Sequence, residues 1–179
     1  MGNKVTVQSD DDLTVDVIEL WTRPLNSVLA ATFGGVHSFV VLKLSNKTYR
    51  MLEKHHDGTV ELTTMTRRQV IDLALKSSDK ALGFAKIKRA CVSSSKELST
   101  VKSGVTLGSI RTICEAHFGI YDIHTANCHR LSSAVWNSTV KEQKQTTVII
   151  QEKLSKFASL IGIGASVRQD ASREKVVLG

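Results

Sequence analysis

The stretch from His37 to Thr63 constrains this chain more than any other. It holds three short runs rich in β-branched and aromatic residues, separated by two turn signals. HSFVVLK at 37–43 reads as a buried strand, and Ser45-Asn46 follows it as a tight turn. TYRMLEKH at 48–55 returns as a second strand. Asp57-Gly58, the stronger hairpin signal, leads into TVELT at 59–63. The expected outcome is an antiparallel meander of three strands. Gly34-Gly35 breaks the chain ahead of it, and DDLTVDVIELWTRPL, further upstream, fits a short helix or a strand equally well.

Downstream the periodicity changes. Thr66 with Gln69 fits a capping box, and Val70, Leu73 and Ala74 would line one face of a helix to about residue 77. FAKIKRACV at 84–92 alternates apolar and basic residues, as a half-buried strand does, and Ser93 to Gly104 reads as polar loop. A second helix is expected from Thr106, with Leu107, Ile110, Ile113 and Cys114 at helical spacing, ending near Gly119. A third should run from Cys128 to about Glu142, and a last amphipathic stretch from Thr147 to about Leu160. Strands and helices that segregate along the chain indicate an α+β fold. The 179 residues suffice for one domain, placed at 13–145. A flexible N-terminus at 1–12 and a C-terminal amphipathic and apolar segment with a tail at 146–179 would flank it.

Charge and cysteine usage narrow the setting. The net charge of +7 reads as a solvated basic surface or as a face for an anionic membrane. Nucleic acid is not expected as a partner, because no helix-turn-helix, zinc-finger spacing or RNA-binding aromatic pattern occurs. Three cysteines without a CxxC pair, and an N-terminus without an apolar stretch, point to free thiols in the cytoplasm. The C-terminal uncharged apolar run, FASLIGIGASV at 157–167, is far shorter than the roughly 20 residues of a membrane span. Met1-Gly2-Asn3-Lys4-Val5-Thr6 matches the myristoylation pattern at Gly2, which would make the protein peripheral on membranes given a second signal.

The chemistry concentrates in YDIHTANCHRLSSAVW at 121–136. Asn127 or Thr125 can cap a helix whose first turn contains Cys128. There the partial positive charge of the helix end lowers a thiol pKa, and the N–H groups of Cys128 and His129 can hold an oxyanion. A lone cysteine more often serves as a small apolar core residue. A nucleophilic one needs a base, and His37 opens an apolar strand where packing alone favours another residue. His124 competes with His37 as base. His129 should point away from Cys128, because neighbours on a helix do not face one another.

These residues resemble the lecithin:retinol acyltransferase-like group, circularly permuted relatives of papain-like cysteine enzymes. His37-Ser38-Phe39-Val40 is similar to that family's H-x-x-[VI] strand start, and Asn127-Cys128-His129-Arg130-Leu131 to its cysteine box. Tyr121 stands seven residues before the cysteine, as in the family, and Arg23-Pro24 precedes the histidine strand. The resemblance spans roughly residues 20–140. It implies a permuted papain-like fold, with an antiparallel sheet packed on the helix that carries the cysteine. It also implies an acyl-cysteine acyltransferase or lipid hydrolase acting on an acyl lipid or another acyl substrate. A peptidase or deamidase with the same centre, and a silent membrane- or protein-binding module, are the alternatives.

The family's third polar residue is not settled by the sequence. A turn at Ser45-Asn46 sets Lys54 opposite His37, with Leu52 and His56 diagonal. A one-residue bulge brings Glu53 or His55 there instead, with His55 preferred, Glu53 next and His56 third. No cofactor is expected. No metal is expected either, since none of the six histidines has zinc-finger or HExxH spacing.

Overall fold

A computed structural model describes residues 10–25, 35–79, 82–92, 100–119, 121–122 and 126–141. Gly2, His124, Thr125 and the 146–179 segment therefore lie outside the described residues. The described chain is α+β, with seven strands in one mixed sheet and three α-helices.

The strands are β1 (Val15–Pro24), β2 (Val36–Leu44), β3 (Tyr49–Lys54), β4 (Val60–Met65), β5 (Ala85–Cys91), β6 (Thr100–Val101) and β7 (Val140–Lys141). Their order across the sheet is β4-β3-β2-β1-β5-β6-β7. Neighbours are antiparallel except β5 and β6, which are parallel, so the sheet is mixed where an antiparallel one was expected. The meander forms as β2-β3-β4. The undecided upstream segment is β1, a central strand paired on both sides. Covered on both faces, it lacks the clean alternation that marks a half-exposed strand.

The helices are α1 (Arg67–Ser78), α2 (Leu107–Ala116) and α3 (Cys128–Thr139). Capping boxes at Thr66/Gln69 and Thr106/Ser109 start the first two. The third ends at Thr139, short of Glu142, because Val140 and Lys141 leave it to pair with β6. β6 itself interrupts the stretch expected to be loop. The expected flexible N-terminus is ordered by Asp10, where a 3₁₀ turn at Asp10–Asp12 is tied by an Asp10–Arg50 ion pair of 3.0 Å.

Each face of the sheet has its own core. Ile18, Leu20, Val40, Leu42 and Leu52 pack with Leu107, Ile110, Leu131, Val135 and Trp136 of α2 and α3. Trp21, Phe39, Val41 and Met65 form the second cluster, closed by Val70 and Leu73 of α1, while Ala74 is exposed. Each fully buried aliphatic side chain in these layers contributes about 1.5–3 kcal/mol. The packing fixes α3 across β2, and this sets the start of the helix over the start of the strand.

Candidate active site

Asn127 begins α3 in an extended conformation, and its side-chain oxygen accepts from the backbone N–H of Arg130 at 3.0 Å. Cys128 is thereby the first helical residue. The N–H groups of Cys128 and His129 precede the first carbonyl that a helix can offer them, so the helix leaves them available. One turn further on, Ser132 accepts a hydrogen bond of 3.2 Å from the hydroxyl of Ser38, which neighbours His37. Both serines are buried. This short polar contact registers helix against strand and brings together residues about ninety positions apart in sequence.

At that junction Cys128 and His37 are within hydrogen-bonding reach. His37 Nε2 and Glu53 Oε2 are 3.1 Å apart, which leaves Nδ1 to serve the sulfur. Arg23, level with His37 in the β1–β2 register, donates to the same carboxylate oxygen at 2.7 Å. Burial opposes charge on all three titrating groups, and mutual pairing overcomes it. Burial would lower His37, yet hydrogen bonds and charge from Cys128 and Glu53 raise it to about 9. Burial would raise Glu53, yet His37 and Arg23 hold it below the ordinary carboxylate value. Burial would also raise Cys128, but His129 and His37 pull it well below the ordinary thiol value. Cys114 makes the contrast: buried without such partners, its thiol is pushed up to about 12.

Glu53, rather than the preferred His55, is therefore the residue that contacts His37. The first hairpin puts both residues on His37's side of the sheet. Its loop spans Ser45 to Lys47, with Lys47 at φ 70°, closed by bonds between Leu44 and both Lys47 and Thr48. Three loop residues, where a two-residue turn was expected, shift the register by one: Phe39 pairs with Glu53, so Glu53 is the diagonal neighbour of His37 and reaches it across the strands. Lys54 is consequently not opposite His37. His55 sits on the far side of Glu53, with Nε2 at 3.8 Å from Oε1 and 3.0 Å from Glu61. His56 is exposed.

Three further groups act on the sulfur's charge. His129 is buried and is the foremost influence lowering the Cys128 thiol. Neither of its ring nitrogens has a well-directed hydrogen-bond partner. Its action on the sulfur is thus that of a close polar ring. Tyr121 is within hydrogen-bonding reach of Cys128, and burial together with the sulfur's charge raises its phenol above the ordinary value. Lys54 was missed as a site residue. It is fully buried, donates to the carbonyl of His117, and feels the charge of Cys128. Only its place in a strand facing the core marks it in sequence, since a lysine there needs a partner.

The fold and these side chains define an α+β protein with a buried cysteine–histidine–glutamate centre. No protein family, curated protein or solved structure matches this chain. No two of Cys91, Cys114 and Cys128 are joined in a disulfide. Among the described residues no helix is long and apolar enough to cross a membrane.

Proposed function

We propose that this protein is a thiol-dependent acyltransferase or lipid hydrolase working through an acyl-cysteine, on a permuted papain-like fold like that of the lecithin:retinol acyltransferase group. The observation that carries the reading is the Cys128–His37–Glu53 line: a thiol lowered at a helix start, an imidazole raised beside it, and a carboxylate fixing that imidazole.

Each group has a defined task. The Cys128 thiolate attacks the acyl carbonyl carbon, a C–S bond forms, and the carbonyl oxygen becomes an oxyanion facing the N–H groups of Cys128 and His129. On collapse the ester C–O bond breaks, and the departing alcohol takes the proton of the His37 imidazolium. In the second half neutral His37 takes a proton from an amine, an alcohol or water as that acceptor attacks the thioester. The C–S bond then breaks and the thiolate returns. Glu53 holds the imidazole with Nδ1 toward sulfur throughout. Tyr121 donates to the sulfur when it is charged. A cytoplasmic protein held on anionic membranes, with Gly2 acylated, would meet such lipids.

The test is to incubate the full chain with fluorescent phospholipids and seek the acyl adduct on the Cys128 peptide by mass spectrometry. The adduct is expected in wild type and absent from Cys128→Ala and His37→Asn. Labelling of a peptide amide substrate in place of lipid would move the reading to a peptidase or deamidase. Labelling independent of Cys128 would end it.

A further inference from the structure

Helix α1 is amphipathic in an unusual sense. Val70 and Leu73 pack inward on the Trp21–Phe39 cluster, yet the opposite side also carries large apolar groups. Ile71 is 49% exposed and Leu75 62% exposed, one turn apart and so on one face. Arg67 and Arg68, three to four residues before Ile71, stand over that same face. Leu82, just past the helix, is 46% exposed. An isolated exposed leucine needs no explanation, but an apolar row on a helix flanked by arginines is the pattern of an interfacial element.

Two further observations indicate what the row meets. At the N-terminal end of α1 an open cleft of about 490 Å³ is lined by Lys43, Lys47 and Arg67 together with Thr48 and Thr64. Cations and hydroxyl donors gathered in an open concavity suit phosphate or carboxylate headgroups. At the other end, Gly83 approaches Pro24 so closely that an added Cβ would lie 2.7 Å from its Cγ. Pro24 pairs with Val36 and Arg23 with His37, so Leu82 lies at the same end of the sheet as the cysteine–histidine centre.

We infer that the outer face of α1 is a docking surface for an anionic lipid bilayer. Arg67, Arg68 and the lysine-lined cleft meet the headgroups. Ile71, Leu75 and Leu82 enter the acyl boundary, and the centre is thereby held at the membrane surface. Arg67, Arg68 and the lysine-lined cleft favour this occupant over a second copy of the chain, which would bring those cations against themselves. The docking needs no thiol chemistry, so it stands or falls separately from the acyl-cysteine reading.

The experiment is vesicle co-sedimentation of the full, unacylated chain, with phosphatidylcholine alone and with about one-third phosphatidylserine added. Wild type and Cys128→Ala are both expected to bind the anionic vesicles, and binding should weaken as salt is raised. Ile71→Glu/Leu75→Glu and Arg67→Glu/Arg68→Glu should each weaken it roughly tenfold or more, with circular dichroism and the Cys128 titration unchanged. Ile71→Trp/Leu75→Trp, which cannot act by loss of fold, should strengthen it. Failure of wild type to bind would overturn the proposal, as would equal binding by all variants. A dimer in ultracentrifugation that the same substitutions dissociate, without vesicle binding, would assign the face to a second copy instead.

Discussion

Glu53→Gln removes one charge from the centre and keeps the side chain's volume. Glu53 Oε2 accepts from Arg23 at 2.7 Å and lies 3.1 Å from His37 Nε2. His37 stands at about 9 against an ordinary 6.5, in spite of burial. At 1.36 kcal/mol per pKa unit that is a net preference of ~3 kcal/mol for the imidazolium. The sulfur contributes more of it than the carboxylate does. A hydrogen bond between charged groups is worth on the order of 1–3 kcal/mol, so loss of the carboxylate's part should lower the imidazole and shift the balance toward neutral thiol and neutral imidazole by about tenfold. The thiol titration of Cys128 then moves upward. Thiolate absorbance and pH-dependent alkylation by a small reagent, read peptide by peptide, follow it directly. Cys114, held near 12, is the silent internal control. Burial of Cys128 slows alkylation at every pH and leaves the midpoint in place. An unchanged midpoint in a folded Glu53→Gln protein refutes the coupling through His37. A wild-type midpoint near the ordinary 9.0 refutes the ion pair itself.

Two other outcomes follow from the same groups. Lys54→Met removes a buried ammonium near the sulfur, so the Cys128 midpoint should rise while stability changes by only about 1 kcal/mol, since an apolar side chain of similar volume fills the site. Denaturant midpoints would detect a larger loss, which would give Lys54 a structural role instead. Stability against pH has a calculable shape. The raised His37 contributes fully below 6.5 and loses its contribution as pH rises through about 9. The lowered Cys128 contributes fully above 9.0 and loses its contribution as pH falls through its own depressed value. The two trends oppose each other, so urea stability should be nearly flat from about 6.5 to 9. Below the ordinary 4.5 of Glu53 it should fall, as that carboxylate protonates. A steady decline across the flat interval would mean that His37 titrates without the sulfur.

Local signals carried much of this protein. The three meander strands, the capping box at Thr66, the helix start at Thr106, and Asn127 as the cap that puts Cys128 in a helical first turn depend on residues within a few positions of one another. Such features are set by propensity, hydrogen-bonding side chains and periodicity, and are legible in sequence for that reason. Where two local solutions were nearly equal in energy, sequence misplaced the answer. Lys47 in the left-handed region makes the first loop three residues long, and that one residue moves Lys54 off His37's side of the sheet and puts Glu53 and His55 there, of which Glu53 makes the contact. β1 stayed undecided because a strand buried on both faces has no alternation to read.

The sequence by itself therefore determined Cys128 at the start of a helix and His37 at the start of a strand, each with its local chemistry. Only the tertiary structure decided that they meet. Packing of α3 on β2, registered by Ser38 and Ser132, closes the gap between them. It also buries His129 and Lys54 where both act on the charge of the sulfur. None of these contacts is favoured until the two faces of the sheet are covered, because the burial that makes charge costly is the same burial that makes each pairing strong.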